Sequence, residues 1–154
     1  MRAIATALAV LAPLAALCPL PGVAAERVAL TADKMVINDA AHEAVFTGNV
    51  QVTHPDVTVR APMVVVTYGE GGTTDIESFI ASGGVSLKTS DQSATGDIAV
   101  FDPATEILRL SGNVVVVNEG GTLKGPELLV NLADNTSVFS GGPSGRVTAV
   151  FTPQ

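Results

Sequence analysis

Phe46-Thr47-Gly48-Asn49-Val50-Gln51-Val52 decides how this chain is read, because the chain writes the pattern four times. The later copies are Ala81-Ser82-Gly83-Gly84-Val85, Leu110-Ser111-Gly112-Asn113-Val114 and a worn version, Phe139-Ser140-Gly141-Gly142-Pro143. Each passes from an apolar or small residue through a hydroxyl to a glycine and then to Asn or Gly. Alternating Val or Leu follows in the first three. Glycine followed by Asn or Gly permits positive φ, so the pair marks a turn or bulge, and the period-2 residues after it mark a half-buried strand.

A second motif is interleaved with the first. Ala32-Asp33, Ala61-Pro62, Gly96-Asp97 and Gly125-Pro126 each precede a short apolar run. From Gly48 to Ala61, Gly83 to Gly96 and Gly112 to Gly125 the step is always 13 residues. From Ala32 to Gly48, Gly96 to Gly112 and Gly125 to Gly141 it is always 16. Only Ala61 to Gly83 is longer, at 22, and the loop Gly69-Glu70-Gly71-Gly72-Thr73-Thr74 supplies the six extra residues. A period of 29 with one loop insertion is the mark of a stacked array, in which each unit buries its apolar face against its neighbours.

The chain between these landmarks reads as all β. Strands are expected at 28–37, 42–46, 50–53, 57–66, 75–80, 85–88, 94–101, 106–110, 114–118, 123–132, 137–139 and 146–151. His54-Pro55-Asp56 and Asp102-Pro103-Ala104-Thr105 carry turn chemistry. No window has an amphipathic helical pattern. The repeat also predicts an inward face. Around the Ala/Gly anchors it comprises Leu30, Ala32 and Val36, then Val59, Ala61, Met63 and Val65. It continues through Ala94, Gly96, Ile98 and Val100 to Leu123, Gly125 and Leu129. After the glycine pairs it continues through Val50 and Val52, Val85 and Leu87, Val114 and Val116. Lys34 and Glu127 interrupt these ladders near the two ends, which suggests an apolar trough with open ends.

The beginning of the chain reads as an export signal. Arg2 is a thin positive region, Ala3 to Leu17 an apolar stretch, and Val23-Ala24-Ala25 offers small residues for cleavage. The expected division is a leader over 1–25 and one domain over 26–154. Cys18 follows Leu17 rather than a small residue, which argues against lipidation there. Arg2 is one of 8 basic residues, so the part from Glu26 on has 7 against 15 acidic ones, a net charge of −8. That balance disfavours nucleic acid and anionic membrane surfaces. The only cysteine lies in the leader, so no disulfide or thiol chemistry is expected afterwards.

Candidate chemistry is sparse. His42 and His54 stand in polar turns without partners at metal-ligand spacing and are expected to be solvated. The glycine-rich stretches 69–72 and 141–145 lack the Gly-Lys-Ser/Thr of a phosphate loop. No catalytic residue, metal site or cofactor is assigned. The residues alone leave open a plain jellyroll core without a lumen, a structural β-solenoid scaffold and, behind these, a β-helical polysaccharide enzyme.

Ala32-Asp33-Lys34, the glycine-pair repeats and the terminal Arg146-Val147-Thr148-Ala149-Val150 resemble the LptA-like (OstA-like) family of periplasmic lipopolysaccharide-transport proteins. The resemblance runs in order from Val28 to Pro153. It implies a twisted, slightly open β-jellyroll that carries lipopolysaccharide from an inner-membrane exporter to an outer-membrane translocon. The export signal and the absence of an appended barrel suit its soluble bridge. On this resemblance the lipid-binding residues are Leu30, Val36, Val50, Val52, Val59, Met63, Val65, Val85, Leu87, Ile98, Val100, Val114, Val116 and Leu129. The implied partner edges are Val28 and Leu30 for an inner-membrane anchored partner, and Val147, Thr148, Ala149 and Val150 for the translocon. Both edges lack protective proline, which suits head-to-tail association of copies.

Overall fold

The computed structural model describes residues 27–143 and 145–152. The expected leader, 1–25, lies outside them. Ten strands follow one another: β1 (Ala29–Thr31), β2 (Lys34–Asn38), β3 (Glu43–Thr53), β4 (Thr58–Tyr68), β5 (Ile76–Lys88), β6 (Gln92–Asp102), β7 (Ile107–Asn118), β8 (Gly121–Asn131), β9 (Thr136–Ser140) and β10 (Thr148–Phe151). The one helical turn described is a 3-10 turn, Gly72–Thr74, in the long glycine-rich loop. All pairings are antiparallel, and β3 to β8 pair in chain order as a meander.

The sheet is unclosed and forks at both edges. β1 takes the later half of β3, with Ala29 opposite Thr53, while β2 takes the earlier half, with Ile37 opposite Ala44. At the other edge β9 pairs with the second half of β8, from Glu127 to Asn131, and β10 with its first half, from Gly121 to Lys124. What the sequence suggests as one first strand is therefore two, split at Asp33. Conversely, the glycine pairs do not end strands. The strands expected at 42–46 and 50–53 are, from Glu43 on, the single β3, and β5 and β7 likewise run straight through their glycine pairs.

The glycine pairs are bulges, and they align. Register breaks between Thr47 and Val50, Ser82 and Val85, and Ser111 and Val114, opposite breaks around Pro62, Gly96-Asp97 and Gly125-Pro126. Every long strand bends there, and the two halves of the sheet face each other as two layers. Call the layer containing Glu43–Thr47, Met63–Tyr68, Ile98–Asp102 and β9 the first, and the layer containing Val50–Thr53, Thr58–Ala61, Val85–Lys88 and β10 the second.

The 16-residue step has a local cause. Gly48 and Asn49 both have positive φ, 81° and 46°, and the Asn49 side-chain amide donates to the Asp33 carboxylate at 2.9 Å. Asn113, with φ 49°, repeats this toward Asp97 at 3.4 Å. A Cβ on Gly48 would lie 2.6 Å from the Asp33 carboxylate, so this bulge requires glycine by close approach as well as by φ. At the intervening bulge the Asp is replaced by Pro62, packed against Gly83. Proline suits a bulge, where no ladder hydrogen bond needs its missing N–H.

The bulges also correct the inward face. On β3, β5 and β7 the bulge contributes two residues, so the period-2 pattern keeps its phase across it. On β4, β6 and β8 one residue is passed over, and the phase flips. Val59 and Ala61 face in, but beyond Pro62 it is Val64 and Val66 that are buried, whereas Met63 is 38% exposed and Val65 stands outside. Ala99 displaces Ile98 and Val100, Leu128 and Val130 displace Leu129, and after Asp33 Val36 turns outward. Lys34 and Glu127 are outside too, where Glu127 lies 3.7 Å from Arg109, so they do not mark openings of the interior.

Candidate functional site

The two layers enclose an interior built almost entirely from Val, Leu, Ala and Phe. Among the described residues no buried side chain is polar or charged. Val50, Val85, Leu87, Val114 and Val116 are buried in it, and Leu30, Val52 and Val59 pack against it half-buried. Of the sequence-derived lining residues, these eight share one face; Val36, Met63, Val65, Ile98, Val100 and Leu129 occupy the other.

The interior changes along its length. Where β1 and β2 diverge, an apolar pocket of about 340 Å³ opens, lined by Leu30, Met35, Ile37, Phe46, Val66 and Phe79 among others. Met35 and Ile37 face it because they pair with Phe46 and Ala44. In the middle, between Val57 and Val59 of one layer and Val64, Ala99 and Leu108 of the other, the free space shrinks to about 40 Å³, room for little more than a water. At the far end the Phe139 ring lies 3.0 Å from where a Cβ of Gly125 would be, with Val147 at 3.6 Å, so the gap between β9 and β10 is filled by side chains.

Two polar groups border the apolar space. At the open pocket the Tyr68 hydroxyl donates to Asp39 at 3.1 Å, and the His42 ring stacks on the Tyr68 ring at 5.8 Å. Desolvation, then the Asp39 carboxylate as hydrogen-bond acceptor and as a charge, raises the phenol above its ordinary value. Over the central gap, His54 meets Phe101 edge-on at 6.3 Å, and Phe101 meets Phe79 at 6.0 Å. This contact joins the β3–β4 turn of the second layer to β6 of the first. The His54 side chain is only 10% exposed, and its Nδ1 accepts the Asp56 N–H at 3.3 Å. The expectation of a solvated His54 is thereby corrected; His42 is exposed.

The inward residues outside the sequence-derived set include Met35, Ile37, Val64, Val66, Phe79, Ala99, Phe101, Leu108, Leu110, Leu128 and Val130. Their signal was available in principle. Each of the first three glycine pairs lies 13 residues before a single anchor position, and two residues facing one is the count of a bulge that shifts the phase on the anchor strand.

The strands that the resemblance assigns to partner edges lie at the forks. Leu30 is in β1 and Val28 precedes it, packed on the core. Thr148, Ala149 and Val150 form β10 with Phe151, and Val147 precedes it; Val150 is 62% and Phe151 71% exposed. Among the described residues no group of three His, Cys, Asp or Glu is placed to hold a metal ion.

Residues 29–136 match the family described as LptA/(LptD N-terminal domain) LPS transport protein. The chain belongs to that family. An uncharacterized protein of Rhizobium meliloti (strain 1021) is 31% identical over 132 residues, covering 81% of this chain and 70% of the relative. The crystal structure of LptH from Pseudomonas aeruginosa, the LptA homologous periplasmic component of a conserved lipopolysaccharide transport device, is similar with a TM-score of 0.70. The similarity covers 83% of this chain and 96% of that one at 18% identity. At that identity the likeness to LptH is one of fold, and it fits the unclosed antiparallel sheet described above. The family is one of transport proteins, not enzymes.

Proposed function

We propose that this chain is a periplasmic lipopolysaccharide carrier, exported by a leader over 1–25 and working as the domain 26–154. It shields lipid A acyl chains between its two layers. β1, with Val28 and Leu30, docks an inner-membrane anchored partner. β10, with Val147 before it, docks the outer-membrane translocon, and copies associate head to tail through the same edges. The observation that carries this reading is an apolar interior that opens into a 340 Å³ pocket between two diverging edge strands. Removing an acyl chain from water gains about 0.8 kcal/mol per CH₂, so a lipid with several chains needs such cover to cross an aqueous gap. The narrow centre, about 40 Å³, implies that the layers part when a chain passes. Because they are joined by backbone at the row of bulges, parting is easiest at the turn-lined rim, where His54 meets Phe101.

A scaffold without a lumen is favoured by one observation, that same narrow centre. Photo-crosslinking separates the two readings. A crosslinker at Val85 captures lipopolysaccharide, and one at exposed Ser86 does not. Equal capture at both, together with no lipid co-purifying by mass spectrometry, supports the scaffold. For the edges, Thr148→Pro removes a ladder donor opposite Lys124 and abolishes self-association in sedimentation velocity. Unchanged sedimentation rejects the head-to-tail arrangement.

A further inference from the structure

The outer face of the first layer is apolar where an antiparallel sheet facing water is ordinarily polar. Its central row crosses β3 to β8 through Val45, Val65, Ile80, Val100, Arg109 and Leu129, so one charge interrupts five apolar side chains. The row extends to Val36 on β2 and Val138 on β9, 48% and 56% exposed. In the adjoining row, toward the bulges, Met63 and Ile98 are exposed as well. The row on the other side is mostly polar, with Asn38, Glu43, Thr67 and Ser78 toward one end and Asn131 and Thr136 at the other. A contiguous apolar patch with a polar margin marks an interaction surface.

The charges on this face fit a second copy of it. Lys34 and Glu127 lie in one cross-strand row, Lys34 three strands before Ser82 of β5 and Glu127 three strands after it. A twofold axis along β5 lays two such faces together with their strand orders reversed. Lys34 of each copy then stands against Glu127 of the other. The same operation brings Met63 onto Ile98, Val65 onto Val100 and Ile80 onto its own counterpart. Arg109 comes over Val45, beside the Glu43 carboxylate two residues away on the same side of β3. No like charges come opposite each other.

We propose that this chain pairs face to face with a second copy of itself through the outer face of the first layer, about a twofold axis along β5. Such a contact is isologous, the same patch serving both copies, and it packs sheet on sheet as in a sandwich. The face spans eight strands, β2 to β9, and the shortest of them contribute five residues each. At ~4.8 Å between strands and ~3.4 Å per residue that is about 650 Å² per copy and about 1,300 Å² in all, at the small end of specific interfaces. The pairing is therefore weak and transient, visible in concentrated solution rather than as a separate species in sedimentation velocity. It is separate from association through β1 and β10, and it stands whatever the interior carries.

The test is a concentration series of NMR spectra of the isotope-labelled protein, recorded for the parent and for Thr148→Pro. Val65, Ile80 and Val100 are expected to shift with concentration in both, and β10 in the parent alone. A parent in which β1 and β10 stay unshifted overturns the edge association and leaves the face pairing standing. Ile80→Glu sets two carboxylates against each other on the axis and should raise the dissociation constant about tenfold or more. Lys34→Glu should raise it several-fold, and Lys34→Glu combined with Glu127→Lys should restore most of the loss, which a role within one copy would not produce. The proposal is overturned if the outer rows of Thr148→Pro do not respond to concentration, if Ile80→Glu associates like the parent, or if the exchanged charges restore nothing. Outer rows that ignore concentration but shift on adding phosphatidylcholine vesicles assign the face to lipid and overturn it equally.

Discussion

The two layers of this molecule share an interior but differ on their outer faces. Across the first layer, one outer row runs Val36, Val45, Val65, Ile80, Val100, Arg109, Leu129 and Val138, each opposite the next on the neighbouring strand. Only Arg109 is polar. The matching row of the second layer runs Thr31, Gln51, Arg60, Ser86, Thr95, Val115, Lys124 and Thr148, where only Val115 is apolar. A half-strand apolar on one face alternates in sequence, as Thr58-Val59-Arg60-Ala61 does. A half-strand apolar on both faces gives an unbroken run, such as Met63-Val64-Val65-Val66, in which either phase is plausible. The difference is therefore one of legibility: polar outer residues fix the phase, and apolar ones erase it.

The sharpest way to break this comparison is to remove the residue that sets the phase. If the aligned bulges of β3 and β5 hold the two-against-one register, deleting Pro62 slides Met63 into the bulge position and turns Val64 and Val66 outward and Val65 and Thr67 inward. Val64 is 1% exposed, so its removal from the core together with burial of Thr67 is expected to abolish cooperative unfolding in urea. A parent-like transition in the deletion variant would mean that the bulge does not hold the phase.

The same logic marks what the sequence could and could not reveal. The repeat, its hinge positions, the all-β class and the inward placement of Val50, Val85 and Val114 follow from residues alone, because the two-residue bulge on those strands preserves the period. The fork at Asp33 was not legible as a break, since Asp33 is held by a backbone bond to Gly48 O at 2.9 Å and a side-chain bond to Asn49, both 15 or 16 residues away. The opening at the β1–β2 fork, the narrow middle and the plug of Phe139 against Gly125 depend on how the two layers approach each other. No local pattern encodes that distance. His54 is hidden from sequence for a related reason: a polar turn becomes a covered rim once Phe101 arrives from the opposite layer.

A milder pair of substitutions tests inner against outer directly. Leu110 is fully buried and Ile98 is 43% exposed, and they lie on neighbouring strands. Leu110→Ala is expected to destabilise by about 3 kcal/mol, combining lost burial with a cavity, while Ile98→Ala should stay within about 1 kcal/mol. Chemical denaturation of both variants checks the assignment. Equal losses would put Ile98 back inside, where a straight period-2 reading had it.

The smallest expected effect concerns the hinge where the two layers meet. Asn49 and Asn113 occupy equivalent bulge positions with nearly equal φ, 46° and 49°, so replacing either by alanine imposes the same left-handed backbone cost. What differs is the side-chain bond: Asn49 reaches Asp33 at 2.9 Å, whereas Asn113 reaches Asp97 at 3.4 Å, near the limit of useful geometry. Backbone strain therefore cancels in the comparison, and the remainder is the worth of one amide–carboxylate hydrogen bond at an exposed site. Such a bond contributes about 1 kcal/mol when well formed. Asn49→Ala is thus expected to lose a few tenths to about 1 kcal/mol more than Asn113→Ala in urea denaturation. The double variant Asn49→Ala with Asp33→Ala should recover part of that difference, since no carboxylate is then left without its donor. If Asn113→Ala is instead the more damaging, the hinge is held by backbone conformation alone, and the Asp–Asn pairing at 16-residue spacing has no energetic role in joining the layers.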